Sequence, residues 1–355
     1  MLKQELSLNN LDSLYSISYP LMFHWYQHSD KALIQISLKE SQLLAKALKE
    51  RIGFNTEFKT CGLGTGSYYS LLKGKPVRIS TLKKILQFFS FDFNDYNKDI
   101  LSIGGSKFLF KAVFPINLDR VESTILIGAF LSDGNNQKQH PFYANTDFLG
   151  EKILKNVQAL IPGIPWEIRN GKLRFHPILS RLLLKLGVPF GDKILLNPKI
   201  PQFIYAREKY KKAYLTQIFD DEGHAPTKAS RKIVLGRNVA LRGLPKEFTS
   251  TLVYTKRVTF NSLPEYIKTI VSRQPPNLLN GEYELLKEFG IKSSLRCRGV
   301  TLYLDRVSAD WVVELAGKEN INKFNKEIGF SHPDKVRRIN EYLGIENGNS
   351  ILCQG

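Results

Sequence analysis

The sequence predicts an α+β protein built on a unit used twice, and three observations carry that prediction. First, two stretches read as copies of each other: Leu126-Ile127-Gly128-Ala129-Phe130-Leu131-Ser132-Asp133-Gly134 and Leu215-Thr216-Gln217-Ile218-Phe219-Asp220-Asp221-Glu222-Gly223. Each runs apolar and ends in a carboxylate followed by glycine. Second, polar alternating stretches and helical stretches follow each copy in the order helix, hairpin, helix, hairpin, helix. Third, 51 Lys and Arg against 33 Asp and Glu leave a formal charge of +18 on 355 residues. An excess of that size predicts attraction to polyanions, and its spread over the whole chain suits nucleic acid. A membrane partner calls for a basic amphipathic helix or a polybasic tail, and neither is visible.

The apolar part of each copy fits a helix packed on most of its surface, and the glycine fits the left-handed residue that closes a helix. That places Asp133 and Glu222 at two helix C-termini, where the dipole favours cations. Carboxylates there are costly unless a metal ion or a base compensates them.

This pair resembles the signature of LAGLIDADG homing endonucleases, in the form where one chain carries both copies and is a monomer. The resemblance implies two pseudo-symmetric αββαββα repeats forming a DNA-binding saddle, and it spans about residues 115–343. It implies motif helices side by side along a pseudo-twofold axis. Their last acids, Asp133 and Glu222 by position, would bind Mg²⁺ or Mn²⁺ over two scissile phosphates. The first copy keeps small residues at Gly128, Ala129 and Ser132. The second departs with Gln217 where the family usually has glycine, so its side chain should lean away from the partner helix or splay the pair. Each family repeat tends to supply a lysine near the metal: Lys193 or Lys199 in the first, Lys335 in the second. The expected activity is hydrolysis of phosphodiester bonds in double-stranded DNA at a long target site. Two rival readings share the scaffold: a DNA-binding regulator that has lost cleavage, and an intron maturase that binds RNA.

In chain order, residues 1–100 read as an all-α domain ahead of the repeats. Residues up to about 30 are an aromatic helical lead-in, where His24 and His28 at i, i+4 spacing suit packing or surface better than metal, lacking a third ligand. Leu38 to Leu48 has helical apolar spacing, a glycine-rich turn from Gly62 leads into a short helix, and Ser80 caps another. The order resembles a helix-turn-helix of the lambda-repressor type. The groove helix would then carry Thr65, Ser67, Tyr68 and Tyr69, with Lys73 in the turn that follows; Ser67, Tyr68 and Lys73 are the DNA-contact candidates here. Residues 101–118 read as a linker, 119–206 as the first repeat, 207–345 as the second, and 346–355 as a tail.

Within the repeats, Trp166 to Phe175 is a hairpin with Asn170-Gly171 at its turn. Its outer face carries Arg169, Lys172 and Arg174. Lys138 follows the first motif. Lys228, Arg231 and Arg237 lie in the basic stretch after the second motif, and Arg296 and Arg298 in a strand pair expected around Leu295 to Leu304. Arg and Lys on a two-stranded ribbon can contact phosphates and read base edges in the major groove. No apolar run reaches membrane-spanning length, and the N-terminus lacks a signal-peptide core. Cys61, Cys297 and Cys353 lie too far apart for a disulfide framework or zinc spacing. The expected location is therefore intracellular: cytoplasmic and associated with the nucleoid.

Overall fold

The computed structural model describes residues 21–52, 63–105, 108–303 and 306–345. Most of the aromatic lead-in (through residue 20), Cys61, Gly62, Cys353 and the 346–355 tail lie outside them. The described chain is mixed α+β with several antiparallel sheets. Among the described residues no helix is long and apolar enough to cross a membrane.

The N-terminal part contains β1 (Met22–Phe23), β2 (Leu33–Ile36), α1 (Leu38–Ile52), α2 (Thr65–Leu72), β3 (Val77–Arg78), α3 (Ile79–Phe88), β4 (Ile100–Gly105), β5 (Phe108–Phe110) and β6 (Ile116–Asn117). It is not all-α: four of these strands form a sheet in the order β3-β2-β4-β5. The strands were hidden because they are short and sit beside long helical runs; β2 alternates over only four residues, with Ile34 and Ile36 buried. Residues 101–118 are likewise not a linker. They complete that sheet and supply β6, which pairs with β1 through Met22↔Asn117 and Phe23↔Ile116.

Helices α1 and α2 pack together, and residues 53–62 between them lie outside the described ones. Tyr68 cannot read a groove, because it is buried against the core at 6 % exposure. Tyr69 and Lys73 are exposed and Ser67 is half-buried. His24 and His28 flank a single 3-10 turn, Trp25–Gln27, rather than sharing a helix. Ser80 does not cap α3; Arg78 holds the cap position.

The next part runs α4 (Val121–Leu131), β7 (Gly134–Asn135), β8 (Phe142–Tyr143), α5 (Phe148–Leu160), β9 (Trp166–Arg169), β10 (Lys172–Phe175), α6 (Pro177–Lys185) and α7 (Lys193–Leu196), with sheet order β7-β8-β10-β9. Asn170 and Gly171, at φ 53° and 65°, make the primed turn that the hairpin expects.

The last part runs α8 (Glu208–Glu222), β11 (Gly223–His224), β12 (Lys232–Ala240), α9 (Lys246–Thr255), β13 (Arg257–Thr259), α10 (Glu265–Ser272), α11 (Asn277–Glu288), β14 (Ser294–Tyr303), β15 (Arg306–Ala316), α12 (Lys318–Glu327) and α13 (Pro333–Leu343). Its sheet order is β11-β12-β15-β14-β13. The pair expected within Leu295 to Leu304 is one long strand, whose partner β15 is largely buried and so reads as a plain apolar run around Val312 and Val313.

The two motif helices, α4 and α8, lie against each other at the centre. Helix α4 is buried on nearly every side, as its continuous apolar sequence requires. A Cβ built on Gly128 would stand 3.0 Å from Gln217 Cβ and 3.4 Å from the Tyr214 carbonyl, so glycine is what lets the helices meet. Gln217 does not lean away. Its stem packs on Gly128, and its amide turns along its own helix to donate to Asp221 Oδ1 at 2.9 Å.

The motif glycines also differ from expectation. Gly223 has φ −75°, and Gly134 is not among the positive-φ residues, so neither is a left-handed cap. A Cβ would come 2.8 Å from the Ala129 carbonyl at Gly134 and 2.6 Å from the Phe219 carbonyl at Gly223. Each glycine is needed because the chain folds back onto its own last helical turn.

Candidate active site

The ends of α4 and α8 bring the predicted acids together. Glu222 is the last residue of α8; Asp133 lies two residues past the end of α4. Asp133 Oδ2 accepts from Asn145 Nδ2 at 2.8 Å. Glu222 Oε2 lies 3.1 Å from Arg237 Nη1, but that nitrogen donates to the Leu131 carbonyl at 3.0 Å. Glu222 Oε2 is thus buried beside a cation without an aligned donor.

Arg237 was expected on a DNA-facing strand. Instead only 8 % of its side chain is exposed, and it donates to Glu282 at 2.9 and 2.7 Å. Its alternation explains this: Leu235 and Val239, two residues away on the same face, are both buried. The fully buried Glu282 also accepts from Tyr214 Oη at 3.0 Å. Arg237 is therefore a strut joining α11, the end of α4 and Glu222.

A third carboxylate, Asp221, ties the helices together. It accepts from Ser132 Oγ on the α4 side, from Tyr143 Oη at 2.5 Å on β8, and from Gln217 Nε2. Burial pushes the Asp221 carboxyl up to about 6, with the hydrogen bonds opposing the shift and Asp133 adding to it. Burial likewise raises Glu222; Arg237 and Lys193 oppose that rise, while Glu282 and Asp133 add to it. Deeper still, Asp220 accepts from Lys152 Nζ at 3.0 Å, the Ser331 amide at 2.8 Å and the His332 amide at 3.1 Å, fixing the start of α13.

Two of the three candidate lysines reach the helix ends. Lys193, the first residue of α7, donates to the Ser132 carbonyl and, at 2.8 Å, to the Gly134 carbonyl, on either side of Asp133. Lys335 in α13 donates to the Phe219 carbonyl at 2.9 Å and the Asp220 carbonyl at 2.5 Å. Both supply the cation that a helix C-terminus favours. Burial lowers the proton affinity of each, against the pull of the nearby carboxylates. Lys199 is exposed, and no described contact takes it to the helix ends.

The basic residues divide by surroundings. On the first sheet Arg169 is exposed, while Lys172 and Arg174 alternate with the buried Leu173 and Phe175 and so share the outer face. Lys172 Nζ sits 4.4 Å from the Phe142 ring centre. Lys138 is exposed in the loop joining β7 and β8. On the second sheet Arg296 pairs with Glu314 at 2.6 Å and Arg298 with Asp310 at 3.1 Å. Lys228 and Arg231 line a cleft of about 810 Å³ with Lys318, Arg337 and Arg338.

Sequence reasoning missed Asn145, Tyr143, Glu282 and Asp221. Asn145 sits in the loop after β8, Tyr143 on β8 and Glu282 on α11, and none of the three carries a local signal. Asp221 had one: Asp220-Asp221-Glu222 is a run of three acids in a helix otherwise reading as core.

The donor set suits a hard divalent ion. Asp133 and Glu222 offer carboxylate oxygens, and Mg²⁺ bonds to few protein carboxylates while keeping several waters. No cluster of three or more ligating side chains is present among the described residues.

No family model matches the chain, and no curated protein matches it. Among solved structures, it is similar to the crystal structure of the N-terminal LAGLIDADG domain of DUF199/WhiA, at 11% sequence identity and a TM-score of 0.31, over 61% of this chain and 87% of that one. A likeness this low carries no weight for fold or function.

Proposed function

We propose that the chain is a two-repeat LAGLIDADG-type protein that binds duplex DNA and hydrolyses its phosphodiester bonds with a divalent metal. The observation that carries this reading is the pair of acids at adjoining helix ends, each end with a lysine bonded to its carbonyls: Lys193 to those on either side of Asp133, Lys335 to two in the last turn before Glu222. The sheets add support. Counting strands from each motif helix, the first sheet runs 1-2-4-3, and the second runs the same way once the edge strand β13 is set aside. The arrangement is what a duplicated αββαββα unit would leave.

Asp133 and Glu222 would hold the ion, which would polarise the phosphoryl oxygen and activate water. Lys193, held by the carbonyls on either side of Asp133, would set a positive charge near the reacting phosphate. Arg237 holds Glu222 in place without occupying both of its oxygens. Affinity for DNA would come from the outer faces of the sheets, chiefly Arg169, Lys172 and Arg174. Incubating the full chain with randomised duplex DNA and Mg²⁺ or Mn²⁺, then sequencing new ends, tests the reading. Defined cut sites support it, and their absence under both metals overturns it.

A second reading, DNA binding without cleavage, is favoured by one observation. Arg237 stands 3.1 Å from Glu222 and offsets part of its charge, which weakens the demand of that acid for a metal.

A further inference from the structure

A cleft of about 640 Å³ opens where the N-terminal part meets the first sheet. The segment just before β2, the end of β4, the loop joining β7 and β8, and the start of α6 form its walls. Three cations line it, Lys31, Lys138 and Arg181, and none is ion-paired among the described residues. The one carboxylate on its lining, Asp30, is already paired with Lys83 at 2.8 Å. His28 also lines the cleft; it is 6 % exposed, and its Nδ1 is buried with no hydrogen-bond partner. The His176 ring lies 6.1 Å away, with its own Nδ1 used to cap α6 by accepting from the Ile178 amide at 3.3 Å.

A buried nitrogen without a partner is costly. Lys31, Lys138 and Arg181, which stacks on the Phe190 ring but has no carboxylate partner among the described residues, leave the cleft a charge that an anion would satisfy. Lys138 is five residues beyond Asp133, so their Cα atoms are at most about 18 Å apart. Lys138 is therefore no more than about half a turn of duplex from the acids, within reach of a backbone phosphate of a DNA seated on them.

We propose that the cleft is a phosphate-binding site, filled by a backbone phosphate of bound duplex DNA that clamps the N-terminal part onto the first sheet. The inference rests on the DNA-binding reading above and is independent of cleavage. Burial, His176 and Arg181 hold His28 neutral, at about 3, so the positive charge that meets the phosphate is that of Lys31, Lys138 and Arg181, and His28 with His176 forms the uncharged wall behind them.

The test uses the full chain. Ring signals of His28 and His176 are followed by carbon-proton NMR as duplex oligonucleotide, or inorganic phosphate alone, is added. In parallel, duplex affinity is measured from 0.05 to about 0.2 M salt for the wild type, Arg181→Gln and Lys31→Ala. Duplex should move both histidine signals. Each substitution should lower the salt slope by about 1, which makes the loss of affinity over that range about 4-fold smaller than in the wild type. Lys31 is exposed, so Lys31→Ala keeps the test open if Arg181→Gln does not fold. Unmoved histidine signals with duplex bound overturn the clamp and leave the DNA-binding reading standing. Movement with inorganic phosphate but not with duplex overturns the backbone assignment. Failure to bind duplex overturns the DNA-binding reading and the clamp with it.

Discussion

The two motif-helix ends hold their acids in chemically different ways. At each end the chain turns from helix into a short strand, through Gly134 or Gly223; the residue that holds the acid comes from the loop just past the next strand at the first end and from within the next strand at the second. The registers pair Gly134 with Tyr143 and Gly223 with Leu235. Asn145 and Arg237 therefore stand at equivalent places, each two residues farther along. Asn145 gives Asp133 one neutral hydrogen bond at 2.8 Å, whereas Arg237 sets a full positive charge 3.1 Å from Glu222 and is itself anchored by the buried Glu282. The lysines differ as well: Lys193 is bonded to carbonyls on both sides of Asp133, while the carbonyls that Lys335 bonds lie two and three residues before Glu222. Two copies of one motif have kept the placement of the acid and changed what surrounds it. The first end is held loosely and leaves its charge free, whereas the second is locked into an ion-pair network.

The sharpest break of this comparison is in activity. Lys193→Met and Lys335→Met should each slow cleavage of a selected duplex about 100-fold with little change in binding, while Lys199→Ala should have almost no effect. Gel assays of cutting and binding on the same preparations check this. Equal losses for Lys199→Ala would mark the lysines as general phosphate contacts.

Stability should divide the two ends next. Arg237→Met strands Glu222 and Glu282 as buried charges, so unfolding by denaturant should show a loss of about 3–5 kcal/mol. A titration separates this from the junction with the N-terminal part. His28 and His176 are lowered from 6.5 to about 3 and about 4, chiefly by burial. With folded values below unfolded ones, their contribution is present above pH 6.5 and is lost as pH falls towards 4. Each histidine contributes a slope of at most about 1.4 kcal/mol per pH unit. His28→Gln should flatten the acid limb of stability measured between pH 6.5 and 4; an unchanged limb would contradict its burial as a neutral group.

Smaller effects are expected at the first end. Asn145→Ala removes one hydrogen bond from a neutral donor to a half-exposed carboxylate, for a loss of about 1 kcal/mol in the same unfolding experiment. Were it to match Arg237→Met, the two ends would not differ as described. Gln217→Ala should shift stability by less than about 1 kcal/mol, because the lost bond to Asp221 is offset by removing the buried, unpartnered Oε1.

The motif helices, their acids and the Asn170-Gly171 hairpin were legible because each rests on local signals: continuous apolar character, a terminal carboxylate-glycine, a primed-turn dipeptide. What failed was set by tertiary contact. Arg237 reads as one more cation in a basic strand, and only the burial of Leu235 and Val239 beside it shows which way it faces. Tyr68 looks like a groove contact until α2 is packed. The four-residue strand β2 and its partners are too short to stand out against α1. Gln217 reads as a wedge because the family usually has glycine at that place. One glycine, Gly128, is enough for close approach when the opposing side chain can fold along its own helix.

The most direct measurement compares the wild type with Asp133→Asn/Glu222→Gln on a duplex selected by the wild type, scoring binding and cutting side by side in Mg²⁺ and in Mn²⁺. The account predicts equal affinity for the two proteins, cleavage by the wild type, and a loss of about 1,000-fold or more in the variant. Equal binding with no cutting by either protein in either metal would contradict it and leave DNA binding without cleavage as the function.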